Sequence, residues 1–171
     1  MLNAHQQQIL RLLIAAQGMS RTEIAEKMKL SKAAISTLVK EMLNAGLLEE
    51  SLPESNGQGR PSVLLKMRAD SAYFLGASLL GEQVILVLID MHGWVLATTE
   101  MPLNPDPQQL SADLASAIPG LITQQGISAD QLIGLGVTLS GFVDENQAVC
   151  VQSALLGWKE VPLAAMLKQQ T

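Results

Sequence analysis

The chain has 171 residues, 48% of them hydrophobic and 16% charged, and carries a net charge of −5 at neutral pH. That is material for one medium domain or two small ones. The longest uninterrupted apolar run, VILVLI at 84–89, falls far short of the roughly 20 residues that cross a bilayer, so no membrane partner is expected. A lone cysteine, Cys150, excludes an internal disulfide and a cysteine metal cluster, and its apolar neighbours mark it as a core thiol; with no basic leader in MLNAHQQQ, the expected compartment is the cytoplasm.

In chain order, HQQQILRLLIAA at 5–16 predicts a helix with Ile9, Leu12, Leu13 and Ala16 inward. Ser20-Arg21-Thr22-Glu23 is a capping box, which starts a second helix near Arg21 with Ile24, Ala25 and Met28 on one face. Lys29-Leu30 breaks the pattern, and Ser31 offers a new N-cap. A third helix follows, with a stripe at Ile35, Leu38, Val39, Met42 and Leu43. Its other face carries Ala33, Ser36, Thr37, Lys40 and Asn44, short or basic side chains that let a helix enter a major groove, with Glu41 on the flank. Asn44-Ala45-Gly46 predicts a left-handed stop. Any amphipathic pair in a small bundle would show the same stripe. Two strand-like runs, 47–52 and 62–67, flank a Pro/Gly/Ser/Asn-rich turn, and three helices plus that hairpin make a winged helix-turn-helix.

Charge divides the chain near Arg68. Nine basic residues stand against six acidic ones up to that point, a net of +3, and the remainder carries −8. Basic charge concentrated in the first module suits phosphate contacts. Because +3 is modest, a homodimer reading two half-sites of double-stranded DNA is expected. The predicted domains are 1–68, a DNA-binding module with its wing and linker, and 69–171, a second lobe.

In that second region, 73–80 and 83–89 read as strands joined by Gly81-Glu82, and Asp90-Met91-His92-Gly93 turns into a third strand at 94–101. A proline-rich loop leads to a helix from about 108 to 124 with Leu110, Leu114, Ala117, Ile118 and Leu121 inward, which Pro119-Gly120 should kink or interrupt. LIGLGVTL at 132–139 predicts a buried strand whose glycines admit close backbone approach. The fold class is α+β overall: the winged helix-turn-helix, then a partial actin/sugar-kinase-like α/β lobe in the order β-β-β-α-β.

These residues carry a family resemblance. HQQQIL, SRTEIAEKMKLSKAAIS, GLLEE, GRPS at 59–62, FLGASL, LIDMHGWVL and GVTLSGFVDENQAVCVQSALLGWKEVPL, in this order, resemble the repressor branch of the ROK family, which joins repressors, open reading frames and sugar kinases. The resemblance covers essentially the whole chain. It implies that 31–44 is the recognition helix, with Lys32, Ala33, Ser36, Thr37 and Lys40 facing DNA. It places Arg60 at the wing tip, where an arginine between Gly and Pro can enter a narrow minor groove; a solvated turn is the other reading. The implied protein is a regulator that represses genes of sugar uptake or carbohydrate metabolism.

Kinases of the family open their lobe with an Asp-x-Gly-Gly-Thr type turn that cradles ATP phosphates. Here the stretch is Gly76-Ala77-Ser78-Leu79-Leu80-Gly81, with Ser78 at the acid's position and Leu80 in the way of phosphate, so no enzyme and no cofactor are expected. The run 138–143 resembles the family's sugar-side loop, and 152–154 the segment closing over sugar hydroxyls. Ser140, Gly141 and Ser153 are thereby the candidate contacts for a sugar or sugar phosphate effector, with a tight loop and a helix-start cap as their structural alternative. Asp144-Glu145 beside Asn146-Gln147 reads as a solvated hairpin turn rather than an acid/base pair. His5 and His92 lack partners at ligand spacing, so no metal is assigned. A helix begins at VPLAAMLKQQT, and the expectation is a lobe whose sheet is left uncovered, either through truncation or for association. The alternative function is a sugar-binding protein or sugar kinase whose first module only mediates assembly. Salt-dependent binding of duplex DNA separates the two.

Overall fold

The computed structural model describes residues 2–51 and 63–170. The chain divides into two compact units, one up to Ser71 and the other from Ala72. The first contains α1 (Ala4–Ala16), β1 (Met19–Ser20), α2 (Arg21–Met28), α3 (Lys32–Asn44), β2 (Leu48–Ser51) and β3 (Leu64–Met67).

The three helices form because each has its own start signal. The Asn3 side chain accepts from the Gln6 amide at 2.9 Å while Gln6 Oε1 accepts from the Asn3 amide at 3.0 Å. Ser20 and Glu23 do the same for α2, and Ser31 Oγ accepts from the Ala34 amide at 3.1 Å for α3. Their apolar faces meet at Ile9, Ile24, Ile35 and Val39, all fully buried. Ala16, expected inward, is exposed, because the chain leaves the helix there and Gln17 takes a left-handed conformation. The β-hairpin is antiparallel, Leu48 opposite Met67 and Ser51 opposite Leu64, and β3 also pairs with the short β1. That third strand has no periodic signal in two residues.

The second unit contains β4 (Tyr73–Leu80), β5 (Gln83–Asp90), β6 (Val95–Pro102), α4 (Pro107–Gln124), β7 (Leu132–Leu139), β8 (Phe142–Asp144), β9 (Val149–Ser153), β10 (Trp158–Val161) and α5 (Leu163–Gln170). β6, β5 and β4 form the expected meander, and β7 joins β4 in parallel, giving the order β6-β5-β4-β7. α4 lays Leu110, Leu114, Ile118 and Leu121 on Leu75, Leu79, Leu86 and Leu88. A second antiparallel sheet, β10-β9-β8, follows, and its β8–β9 turn is closed by Asp144 Oδ1 accepting from the Asn146 and Gln147 amides, the solvated turn expected there.

Two expectations are corrected. α4 is not interrupted at Pro119: both Pro119 and Gly120 lie on its exposed side, so the lost backbone hydrogen bond falls away from the core. β7 is not a buried strand. None of its residues is buried, Ile133 is 63% exposed, and a Cβ built on Gly134 would meet nothing within 4 Å. Among the described residues β7 has a neighbour on one side only, so its apolar run lies at a sheet margin beside a cavity of about 780 Å³ between α4 and α5.

Candidate nucleic-acid interface

The helix pair α2–α3 is held at both ends by backbone chemistry written locally. Glu23 Oε2 accepts from the Ser20 amide at 2.7 Å, and that bond, with the Ser20 hydroxyl, holds the Glu23 carboxyl below the ordinary carboxylate range. Lys29 ends α2 in the left-handed conformation, φ 55°, and Ser31 starts α3 two residues on. At the far end the Leu47 amide donates to Met42 O and the Gly46 amide to Leu43 O, a Schellman closure that needs the positive φ of Gly46, 70°. Arg21, in the first turn of α2, is tied to Glu50 on β2 at 2.6 Å. α2 is thus tied to the β2–β3 hairpin, and α3 is closed at both of its ends.

All five α3 residues expected to face DNA are exposed: Lys32, Ala33, Ser36, Thr37 and Lys40. The opposite stripe, Ile35, Val39 and Met42, is buried, with Leu38 and Leu43 half-buried at its edges. Among the described residues neither lysine makes an ion pair, so their ammonium groups stand in water. The hydroxyls are already engaged: Ser36 Oγ donates to Lys32 O at 2.8 Å and Thr37 Oγ1 to Ala33 O at 3.2 Å. Each therefore presents its lone pairs outward and can accept from a base amino group without turning. Arg60 and the GRPS wing run lie outside the described residues.

In the second unit the three effector candidates come together. Ser153, 1% exposed, donates from Oγ to Ser140 O at 2.7 Å and accepts from the Leu156 amide at 3.3 Å. A Cβ on Gly141 would collide with Gln152 O, so only glycine lets the β7–β8 connection lie against β9. Ser140 and Gly141 border an open cavity of about 350 Å³ with Gln152 and Ala154. Ser153 clamps this loop from inside, and the turn it caps at 154–157 is not a helix start. At the end of β4, Ser78 accepts a 3.4 Å hydrogen bond from Thr138 on β7, and Leu80 is 58% exposed in front of the Gly81 turn. Burial raises the Cys150 thiol above its ordinary value, in keeping with a core residue. Among the described residues no cluster of three or more His, Cys, Asp or Glu could hold a metal, and no helix is long and apolar enough to cross a membrane.

Comparison with known proteins matches these two units separately. Residues 2–49 fit the model of a winged helix-turn-helix DNA-binding domain, and residues 75–171 fit that of the ROK family. The chain belongs to the ROK family. Curated relatives of this ROK chain include the DNA-binding transcriptional repressor Mlc of Escherichia coli, 27% identical over 95% of this chain and 41% of the relative. The xylose repressor of Caldicellulosiruptor bescii is 24% identical over 95% and 41%. The chain spans about two fifths of the length of the curated relatives it matches. A solved ROK family transcriptional regulator, a homologue of E. coli Mlc, superposes over 90% of this chain and 39% of its own at a TM-score of 0.69 and 23% identity. The ROK family glucokinase from Streptomyces griseus covers 58% of this chain and 30% of its own at 0.51 and 19%. Both likenesses bear on the fold.

Three contacts of the winged helix-turn-helix unit were not anticipated from sequence. The Asn3–Gln6 capping box was legible as N-x-x-Q before an apolar run. The Arg21–Glu50 pair was not, because its partners lie 29 residues apart. Nor was the bond from Gln6 Nε2 to Glu41 Oε2 at 3.0 Å, which joins α1 to α3 across 35 residues.

Proposed function

We propose that this ROK chain acts as a DNA-binding transcriptional regulator, a repressor of sugar-uptake or sugar-metabolism genes. In this reading Lys32 and Lys40 contact phosphate or guanine, Ala33 allows close approach, Ser36 and Thr37 meet base edges, and Arg60 enters the minor groove. The observation that carries it is the exposed face of α3, which sets five short or basic side chains outward on a helix capped at both ends. The names of the curated relatives support the repressor assignment. The second unit serves as an effector and dimerisation lobe without kinase chemistry, consistent with Ser78 and Leu80 at the turn where kinases carry acid and glycine. A sugar or sugar phosphate meets Ser140 and Gly141, while Ser153 holds that loop in place. The working form is a cytoplasmic homodimer on double-stranded DNA.

Fluorescence anisotropy with a mixed-sequence duplex tests the reading across a salt series. Wild type should bind with a steep salt dependence, and Lys32→Ala with Lys40→Ala should lower the salt slope by about two and the affinity at least tenfold. Unchanged binding by the double variant would remove α3 as the reader.

A further inference from the structure

The HQQQIL motif of α1 contains one side chain that the DNA-reading surface does not itself explain. Gln6 uses both ends of its carboxamide: Oε1 accepts from the Asn3 amide at 3.0 Å, and Nε2 donates to Glu41 Oε2 at 3.0 Å. The first bond fixes which end of the amide faces α3. Glu41 is the sole acidic residue of α3, and it follows Lys40 directly on the flank of the exposed face. A glutamate not held there would leave its negative charge free beside Lys40, where it opposes that lysine's attraction for phosphate.

We propose that Gln6 is a positioning residue for DNA binding: by holding the Glu41 carboxylate against α1, it keeps the only negative charge of the reader helix away from the DNA-facing surface. The inference rests on the proposed DNA-binding role and adds to it a residue outside the helix-turn-helix. The latch acts through a charge-assisted hydrogen bond. It also makes the N-terminal cap of α1 part of the reader, since the Asn3 amide is what orients the Gln6 amide.

Gln6→Glu separates the two roles. A glutamate keeps the oxygen that caps Asn3 and replaces the donor facing Glu41 by a like charge. Measured by anisotropy on the full chain with one fixed duplex, Gln6→Glu should weaken binding roughly three- to tenfold and flatten the salt dependence. Adding Glu41→Gln restores a donor–acceptor pair in the reverse sense, and binding should return to within about twofold of Glu41→Gln alone. An equal loss from Gln6→Glu in both backgrounds, or no loss in either, overturns the positioning role. If wild type itself fails to bind any duplex, the DNA-binding reading falls and takes this inference with it. Wild-type binding without coupling condemns the latch alone.

Discussion

The two halves of the molecule differ in how their elements are covered. In the first unit α1, α2 and α3 each start at a side-chain cap, α3 ends in a glycine closure, and the three stripes bury one another. In the second, α4 and the meander bury a leucine core, yet β7, as apolar as any strand in the chain, has no buried residue and borders an apolar cavity. The contrast teaches that an apolar run specifies a strand but not its burial. Burial depends on what lies on both faces and both edges.

Core truncation should break this comparison most sharply. Ile35→Ala, at a fully buried site of the reader, should cost about 2–5 kcal/mol, whereas Val137→Ala on half-exposed β7 should cost about 1 kcal/mol or less, both read by urea denaturation. Equal losses would mean that β7 is covered in solution. Next in size, Ser153→Ala removes a buried hydroxyl that makes two hydrogen bonds, for an expected loss of about 1–3 kcal/mol in the second unit alone. If it left stability unchanged but abolished binding of a sugar seen by calorimetry, Ser153 would be an effector contact rather than a clamp.

The smallest effect concerns the α2 cap. The carboxyl of Glu23 is lowered in the folded state by the Ser20 amide and hydroxyl, so its contribution is present above its ordinary value of 4.5 and is lost as pH falls through the lowered folded value. The melting temperature of wild type should therefore drop below about pH 4.5 more than that of Glu23→Gln, whose neutral amide still completes the box. Parallel melting curves for the two proteins would locate the effect elsewhere.

Most of the reader was legible because its signals are short-range. Ser20, Glu23, Ser31 and Gly46 act on groups within about four residues, and helical spacing names Ile35, Val39 and Met42. The meander was legible to within a residue or two for the same reason, since alternation and two-residue turns are local. The effector loop was legible only as a resemblance. That Ser153 faces inward to Ser140 depends on how closely the backbones approach at Gly141, which no spacing rule encodes.

By itself the sequence determined where most helices and strands begin and end, which face of α3 is basic and short, and that the end of β4 carries Ser78 in place of an acid. Those features follow from capping, periodicity and residue chemistry acting along the chain. Only the tertiary structure decided that α4 runs unbroken past Pro119, that β7 stands at a margin, that the Ser153 hydroxyl turns inward to Ser140 O, and that Gln6 reaches Glu41. Each of those depends on what another part of the chain brings within a few ångströms, and contacts across tens of residues leave no periodic mark on either partner.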